Sequence, residues 1–273
     1  MQKKSSLVLM AIMFIWMGIS SSTAFGYSSV VAFGDSLSDN GNVGRFTDGD
    51  LWVESLADHY PAMLYDYAYG GATTSYDNPA IGSDATGLLW QVDTYSPMLG
   101  GMSPDETLVT VWAGANDFLQ GRDFGQAAFN IGTALEDLYS SGGRNFLVSN
   151  LPDIGMTPAF YFGGAPVSPE IASAWTGAFN LQLDFMLQGF GSIHDDVNLF
   201  FVDVFTIFEM YSPESPEWFN LFWHDGFHPS SAGHELVFQA AMEATAPVPE
   251  PATILLFGTG LAGLIGSRIR RKK

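Results

Sequence analysis

The sequence predicts an α/β protein with a mostly parallel five-stranded sheet covered by helices on both faces. Short apolar runs alternate with longer amphipathic segments, the grammar of repeated strand–helix units. The roughly 220 residues between the two termini carry no low-complexity linker, and at 47% apolar composition the chain can bury one substantial core. Cysteine is absent, so neither a disulfide framework nor a thiolate site is available and stability rests on packing.

The strands are expected at Ser29 to Phe33, Tyr65 to Tyr69, Leu108 to Trp112, Asn145 to Ser149 and Asn198 to Val204. Each is a short apolar run bounded by turn-forming residues. Helical patterns fill the intervals at Leu51 to His59, Leu88 to Pro97, Phe124 to Ser141, Pro169 to Gln188 and Ser230 to Ala244, with Ser230 or Ser231 suited to cap the last. In parallel sheets of this kind, ligands bind beyond the carboxyl ends of the strands.

Four clusters fall at such ends: Gly34-Asp35-Ser36-Leu37, Gly70-Gly71-Ala72, Gly114-Ala115-Asn116-Asp117 and Asp225-Gly226-Phe227-His228. Each is an ordinary turn when taken alone. Together they supply the parts of a serine hydrolase. Ser36 is the candidate nucleophile, His228 the base and Asp225 the acid that fixes the imidazole tautomer. The Ser36 and Gly71 N–H groups and the Asn116 amide are the candidate oxyanion donors. His59, His194, His224 and His234 compete by residue type, but His234-Glu235 is not followed by the second histidine of a zinc-protease helix. No metal and no organic cofactor is expected.

In its blocks the chain resembles the GDSL lipase/esterases of the SGNH hydrolase superfamily, in their lipase and lecithinase-like branch. The blocks are Phe33 to Asn42, Tyr69 to Ala72, Gly114 to Phe118, Asn150 to Pro158 and Asp225 to Pro229, and none is altered at its key position. The resemblance implies a three-layer, flavodoxin-like α/β/α sandwich and the roles just given to Ser36, Gly71, Asn116, Asp225 and His228. Choosing Gly71 over Gly70 rests on the alignment of that block alone. The Asn150 to Pro158 loop, Phe160 to Phe162 and the aromatics Trp218, Phe219, Phe222 and Trp223 are expected to wall an acyl pocket, with core packing the competing role for many of them.

Both ends carry address signals. Lys3-Lys4, an apolar run from Leu7 to Ile19 and small residues to Gly26 have the layout of a secretory signal peptide, and the 13-residue run falls short of the roughly 20 that span a bilayer. At the other end Val248-Pro249-Glu250-Pro251, an apolar stretch and a terminal basic run resemble the PEP-CTERM sorting signal of Gram-negative bacteria. The expected organisation is therefore a signal peptide over 1–26, a hydrolase domain over 27–247 and a sorting tail over 248–273. The expected partners are signal peptidase, an exosortase-type processing enzyme, an ester substrate and, transiently through the tail, a membrane.

Between the two signals, three arginines face 28 acidic residues, a formal charge of −25 against −19 for the whole chain. Such a surface repels phosphate backbones, which excludes nucleic-acid binding and suits a neutral substrate. The expected activity is ester hydrolysis through an acyl-enzyme. Deacetylation or acyl transfer on extracellular polysaccharide, and a non-catalytic matrix protein that keeps the fold, are the alternatives.

Overall fold

The computed structural model describes residues 26–246; the expected signal peptide over 1–26, apart from its last residue, and the sorting tail over 248–273 lie outside them. Five parallel strands form one sheet in the order β2-β1-β3-β4-β5. They are β1 (Ser29–Gly34), β2 (Met63–Asp66), β3 (Thr107–Trp112), β4 (Asn145–Ser149) and β5 (Asn198–Val202). All residues of β3 and β4 are buried, as expected of central strands covered on both faces.

Helices α1 (Trp52–His59), α2 (Leu88–Tyr95), α3 (Ala115–Leu119), α4 (Phe124–Ser140), α5 (Pro158–Tyr161), α6 (Pro169–Ile193), α7 (Val204–Glu209), α8 (Pro216–Asn220) and α9 (Ser231–Thr245) complete the fold. Helices α1 and α9 pack together over one face of the sheet, and α2, α4 and α6 pack in series over the other. This is a three-layer α/β/α sandwich. Among the described residues no helix is long and apolar enough to cross a membrane.

The long elements follow the sequence pattern closely, with two informative departures. Strand β2 is a partly exposed edge of four residues that starts earlier than the Tyr65 to Tyr69 run. Tyr67 and Tyr69 still donate to the Ala32 and Gly34 carbonyls of β1, so the ladder persists in part beyond the strand proper. The aromatic run owes its apolar character to side-chain packing instead, with Tyr67 stacked on Tyr95 at 4.1 Å. The fifth strand ends at Val202 because Asp203 turns to cap α7, its carboxylate accepting from Thr206 N at 3.2 Å. Ser230 is the cap of α9, accepting from Gly233 N.

Two buried tryptophans carry the sheet's order to its rim. Trp52 on α1 and Trp112 at the end of β3 meet edge to face at 5.8 Å. The Trp52 indole donates to the Leu37 carbonyl and Ser38 Oγ, and the Trp112 indole to the Asn150 carbonyl. A buried indole N–H needs an acceptor. Here each finds it in a loop that bears one of the sequence blocks.

Candidate active site

Strand β1 lies between β2 and β3, so the chain's winding direction reverses beside it and a crevice opens at the carboxyl ends of β1 and β3. At Gly34 the backbone has φ +151°, and a Cβ there would overlap the Trp112 carbonyl. Gln91 of α2 brackets the same residue, accepting from Gly34 N at 2.9 Å and donating to Gly34 O at 2.8 Å. The turn that follows delivers Ser36, 6% exposed, to the crevice floor.

From the far end of the chain, the Asp225 to His228 turn closes over it. His228 Nε2 stands 2.8 Å from Ser36 Oγ, and His228 Nδ1 stands 2.6 Å from Asp225 Oδ2. The other Asp225 oxygen accepts from the backbone N–H groups of Phe227 and His228. Burial pushes this carboxyl up, but the imidazole and the two backbone donors outweigh it and hold Asp225 below the usual carboxylate range. An ionised Asp225 keeps the proton on Nδ1, which leaves Nε2 as acceptor for the Ser36 hydroxyl.

The candidate oxyanion donors differ in availability. Among the described residues, neither Ser36 N–H nor Gly71 N–H donates to a protein acceptor. Gly70 N–H is taken, donating to Asp39 Oδ2 at 2.6 Å, so Gly71 is the free donor of the pair. Gly71 also has φ +83°, and a Cβ there would overlap Ala80 and crowd Asn78. The Asn116 amide, by contrast, is already engaged. Both of its Nδ2 hydrogens are engaged, to the Ala72 carbonyl at 3.0 Å and to Asp35 Oδ2 at 3.2 Å.

Three buried carboxylates wire these loops together. Asp39 accepts from Gly41, Asn42, Val43 and Gly70 N–H, joining the Ser36 loop to the Gly71 loop. Asp117 accepts from the Thr74 N–H and hydroxyl, joining the Gly71 loop to α3, and burial raises its carboxyl despite those donors. Asp35, which accepts from Leu37 N, is pushed up to about 7, chiefly by burial. In the sequence Asp39 and Asp117 stand only as members of their blocks. An aspartate followed by glycine and asparagine is the signature of side-chain-closed turns, which could have singled out Asp39. Nothing in the local pattern marks Gln91, which lies within an ordinary helical run.

The competing histidines go elsewhere. His194 pairs with Glu136, His59 lies between Tyr60 and Phe238, and His224 packs against Trp223. His234 is buried with neither ring nitrogen bonded, and burial pushes it down to about 3. Among the described residues no group of three potential metal ligands converges.

A cavity of about 410 Å³ lies between the Asn150 to Pro158 loop and the α7–α8 region, lined by Pro152, Met156, Phe208, Trp218 and Phe222 among others. Of the aromatics expected to wall an acyl pocket, Trp218 and Phe222 line this cavity. Phe162 and Phe219 instead stack face to face on the surface, 57% and 46% exposed. None of Ser36, Gly71, Asn116, Asp225 and His228 lines that cavity.

Residues 30–241 match the family model of the GDSL-like lipase/acylhydrolases. The chain belongs to that family. Residues 247–272 match the PEP-CTERM protein-sorting motif. Among curated proteins, the chain is 32% identical over 155 residues to a thermolabile hemolysin of Vibrio parahaemolyticus, covering 50% of this chain and 36% of that protein. It is 30% identical over 158 residues to a phosphatidylcholine-sterol acyltransferase of Aeromonas hydrophila, covering 49% and 47%. An acetylesterase of Thermothelomyces thermophilus is 24% identical over 230 residues, covering 71% and 74%. The matched part spans less than half the length of the first two relatives. A solved lipolytic protein of the G-D-S-L family from Veillonella parvula superposes with a TM-score of 0.55 at 19% identity, over 80% of this chain and 97% of that one, a likeness of fold.

Proposed function

We propose that this GDSL-family protein is an exported serine hydrolase of carboxylic esters, with Ser36 as nucleophile, His228 as base and Asp225 as orienting acid. The reading rests above all on the unbroken hydrogen-bond line from Ser36 Oγ through the His228 ring to Asp225, at 2.8 and 2.6 Å. Attack of Ser36 Oγ on the ester carbonyl transfers the hydroxyl proton to Nε2 and the carbonyl electron pair to oxygen. The Ser36 and Gly71 N–H groups would meet that oxyanion. Asn116 would join them if its longer hydrogen bond, to Asp35, gives way to the oxyanion while the Ala72 contact keeps the amide in place. Collapse of the intermediate expels the alcohol, which takes the proton from Nε2. Water then repeats the sequence on the acyl-enzyme and releases the acid.

Export follows from the amino-terminal pattern together with the matched sorting motif, which would direct the protein to the envelope or extracellular space of a Gram-negative bacterium after exosortase-type processing. Acyl transfer or polysaccharide deacetylation is the second reading, favoured by the names of the acyltransferase and acetylesterase relatives. Hydrolysis and transfer share one acyl-enzyme, so a product assay with water against sugar or sterol acceptors separates them.

An organophosphonate should add to Ser36, and Ser36→Ala should abolish both labelling and at least about 10³-fold of the turnover while the melting temperature stays close to that of the parent. Folded protein that takes no phosphonate, or a Ser36→Ala variant that still turns over esters, would overturn the reading.

A further inference from the structure

The His228 imidazole is held at both nitrogens, and one face of the ring is also occupied. The Phe46 phenyl lies on it, ring centroids 5.1 Å apart and planes 29° from parallel, an offset stack. Phe227 and Trp223 meet the same imidazole only at steep angles, 90° and 72°. Phe46 belongs neither to the buried core nor to the partly buried shell packed upon it, so filling the core does not account for it.

Its loop is tied at both ends. Val43 N donates to Asp39, and Arg45 pairs with Glu54 of α1 while donating to the Gly49 carbonyl. Asp48 accepts from Ser231 N at the start of α9, three residues beyond His228. The second glycine block fits the same ring. A Cβ on Gly70 would overlap the Phe46 edge, so the residue before the free Gly71 donor must be glycine for the phenyl to reach the imidazole.

We propose that Phe46 is a positioning residue for the base: its face holds the His228 ring in the plane that joins Ser36 to Asp225, and it favours the imidazolium formed when the Ser36 proton moves to Nε2. A neutral imidazole already gains from offset stacking on a phenyl face, and a cation within about 6 Å of the centroid is attracted in addition by the ring's quadrupole. The interaction therefore strengthens on the way to the transition state, and such interactions raise kcat without lowering KM. This role depends on the hydrolase reading above, since it presupposes proton transfer between Ser36 and His228.

The test uses Phe46→Leu, Phe46→Tyr, Phe46→Ala, Gly70→Ala and the Phe46→Ala/Gly70→Ala double variant. Turnover of a soluble nitrophenyl ester, the rate of Ser36 phosphonylation and the melting temperature are measured for each. Phe46→Leu should lower kcat and the phosphonylation rate together by about tenfold with KM within about twofold, and Phe46→Tyr should restore both to within about threefold of the parent. Gly70→Ala, by displacing the ring, should resemble Phe46→Leu, yet should add no further loss in the Phe46→Ala background.

A Phe46→Leu protein with undiminished kcat, or one impaired in KM alone, overturns the proposal. So does a Phe46→Tyr variant no better than Phe46→Leu. If Phe46→Leu does not fold, Gly70→Ala decides in its place, and folded Gly70→Ala with parental kcat overturns the proposal. Parent protein that takes no phosphonate would refute the hydrolase reading itself, whereas equal labelling of parent and Phe46→Leu refutes only the role of Phe46.

Discussion

The two halves of the candidate site are built by opposite means. The half that carries Ser36, Gly71 and Asn116 grows from the ends of β1, β2 and β3, with Ser36 and Asn116 buried and its three loops cross-linked by the carboxylates of Asp39, Asp117 and Asp35. The half that carries Asp225 and His228 is a tight turn near the surface, with side chains 32% and 15% exposed, whose carboxylate binds its own backbone and ring. Donors that meet a developing charge gain most when they are fixed and shielded from water. A base must exchange protons with serine, leaving group and water in turn, and a place at the rim allows that. The difference teaches that the folding energy of the first half and the chemistry of the second can be perturbed separately.

The largest effect should come from Asp225→Asn, which keeps the turn's shape but removes the charge that fixes the Nδ1 proton. Turnover should fall by about 10²–10⁴-fold while the urea midpoint hardly moves. A comparable loss of stability would mean that the two halves are not separable in this way.

Asp39→Ala should show the reverse emphasis. It orphans four backbone N–H groups at once and should reduce unfolding free energy by about 3 kcal/mol, read from urea denaturation. A variant as stable as the parent would remove Asp39 from its place as the tie between the first two loops.

Asp66 supports the Ser36 loop by accepting from Asn40 N, and burial pushes it up to about 7. A carboxyl whose pKa is raised on folding binds its proton more tightly in the folded chain. Its contribution to stability is therefore greatest below the ordinary carboxylate pKa of about 4 and declines as pH rises through about 7. Asp66→Asn, which cannot ionise, should gain on the parent in melting temperature between pH 5 and pH 8. A difference that is constant with pH would show that the Asp66 carboxyl does not have a raised pKa in the folded protein.

The smallest effect is expected on the other half. Ser230→Ala removes the cap of α9 and a hydrogen bond to the Asn220 carbonyl, and should lower stability by about 1 kcal/mol with little change in kcat. A marked fall in kcat would mean that α9 takes part in positioning the base.

The contrast also governs what can be read without coordinates. Long elements such as β4 and α4 are legible because a buried strand or an amphipathic helix repeats its pattern over many residues. Short α3, α5, α7 and α8 are not, since four to six residues set no period, and all four lie in loops on the strands' carboxyl side. The candidate residues Ser36, Gly71, Asn116, Asp225 and His228 could be named because each sits in a compact block of turn-forming residues. Their partners Gln91, Asn78 and Phe46 sit in no such block. Gln91 is a polar residue on a buried helix face, and Phe46 follows a loop glycine and arginine.

From the order of residues alone came the strand–helix alternation, the placement of the candidate residues beyond strand ends, the acidity of the body and the sorting motif near the carboxyl end. These depend on local pattern, composition and sequence position, which are properties of the unfolded chain. Only the tertiary structure decided that Gly71 and not Gly70 has the free N–H, that Asn116 is already engaged, and that Phe46 lies on the imidazole. Each of those facts is a distance between segments far apart in the chain, and such distances exist only after packing has brought the segments together.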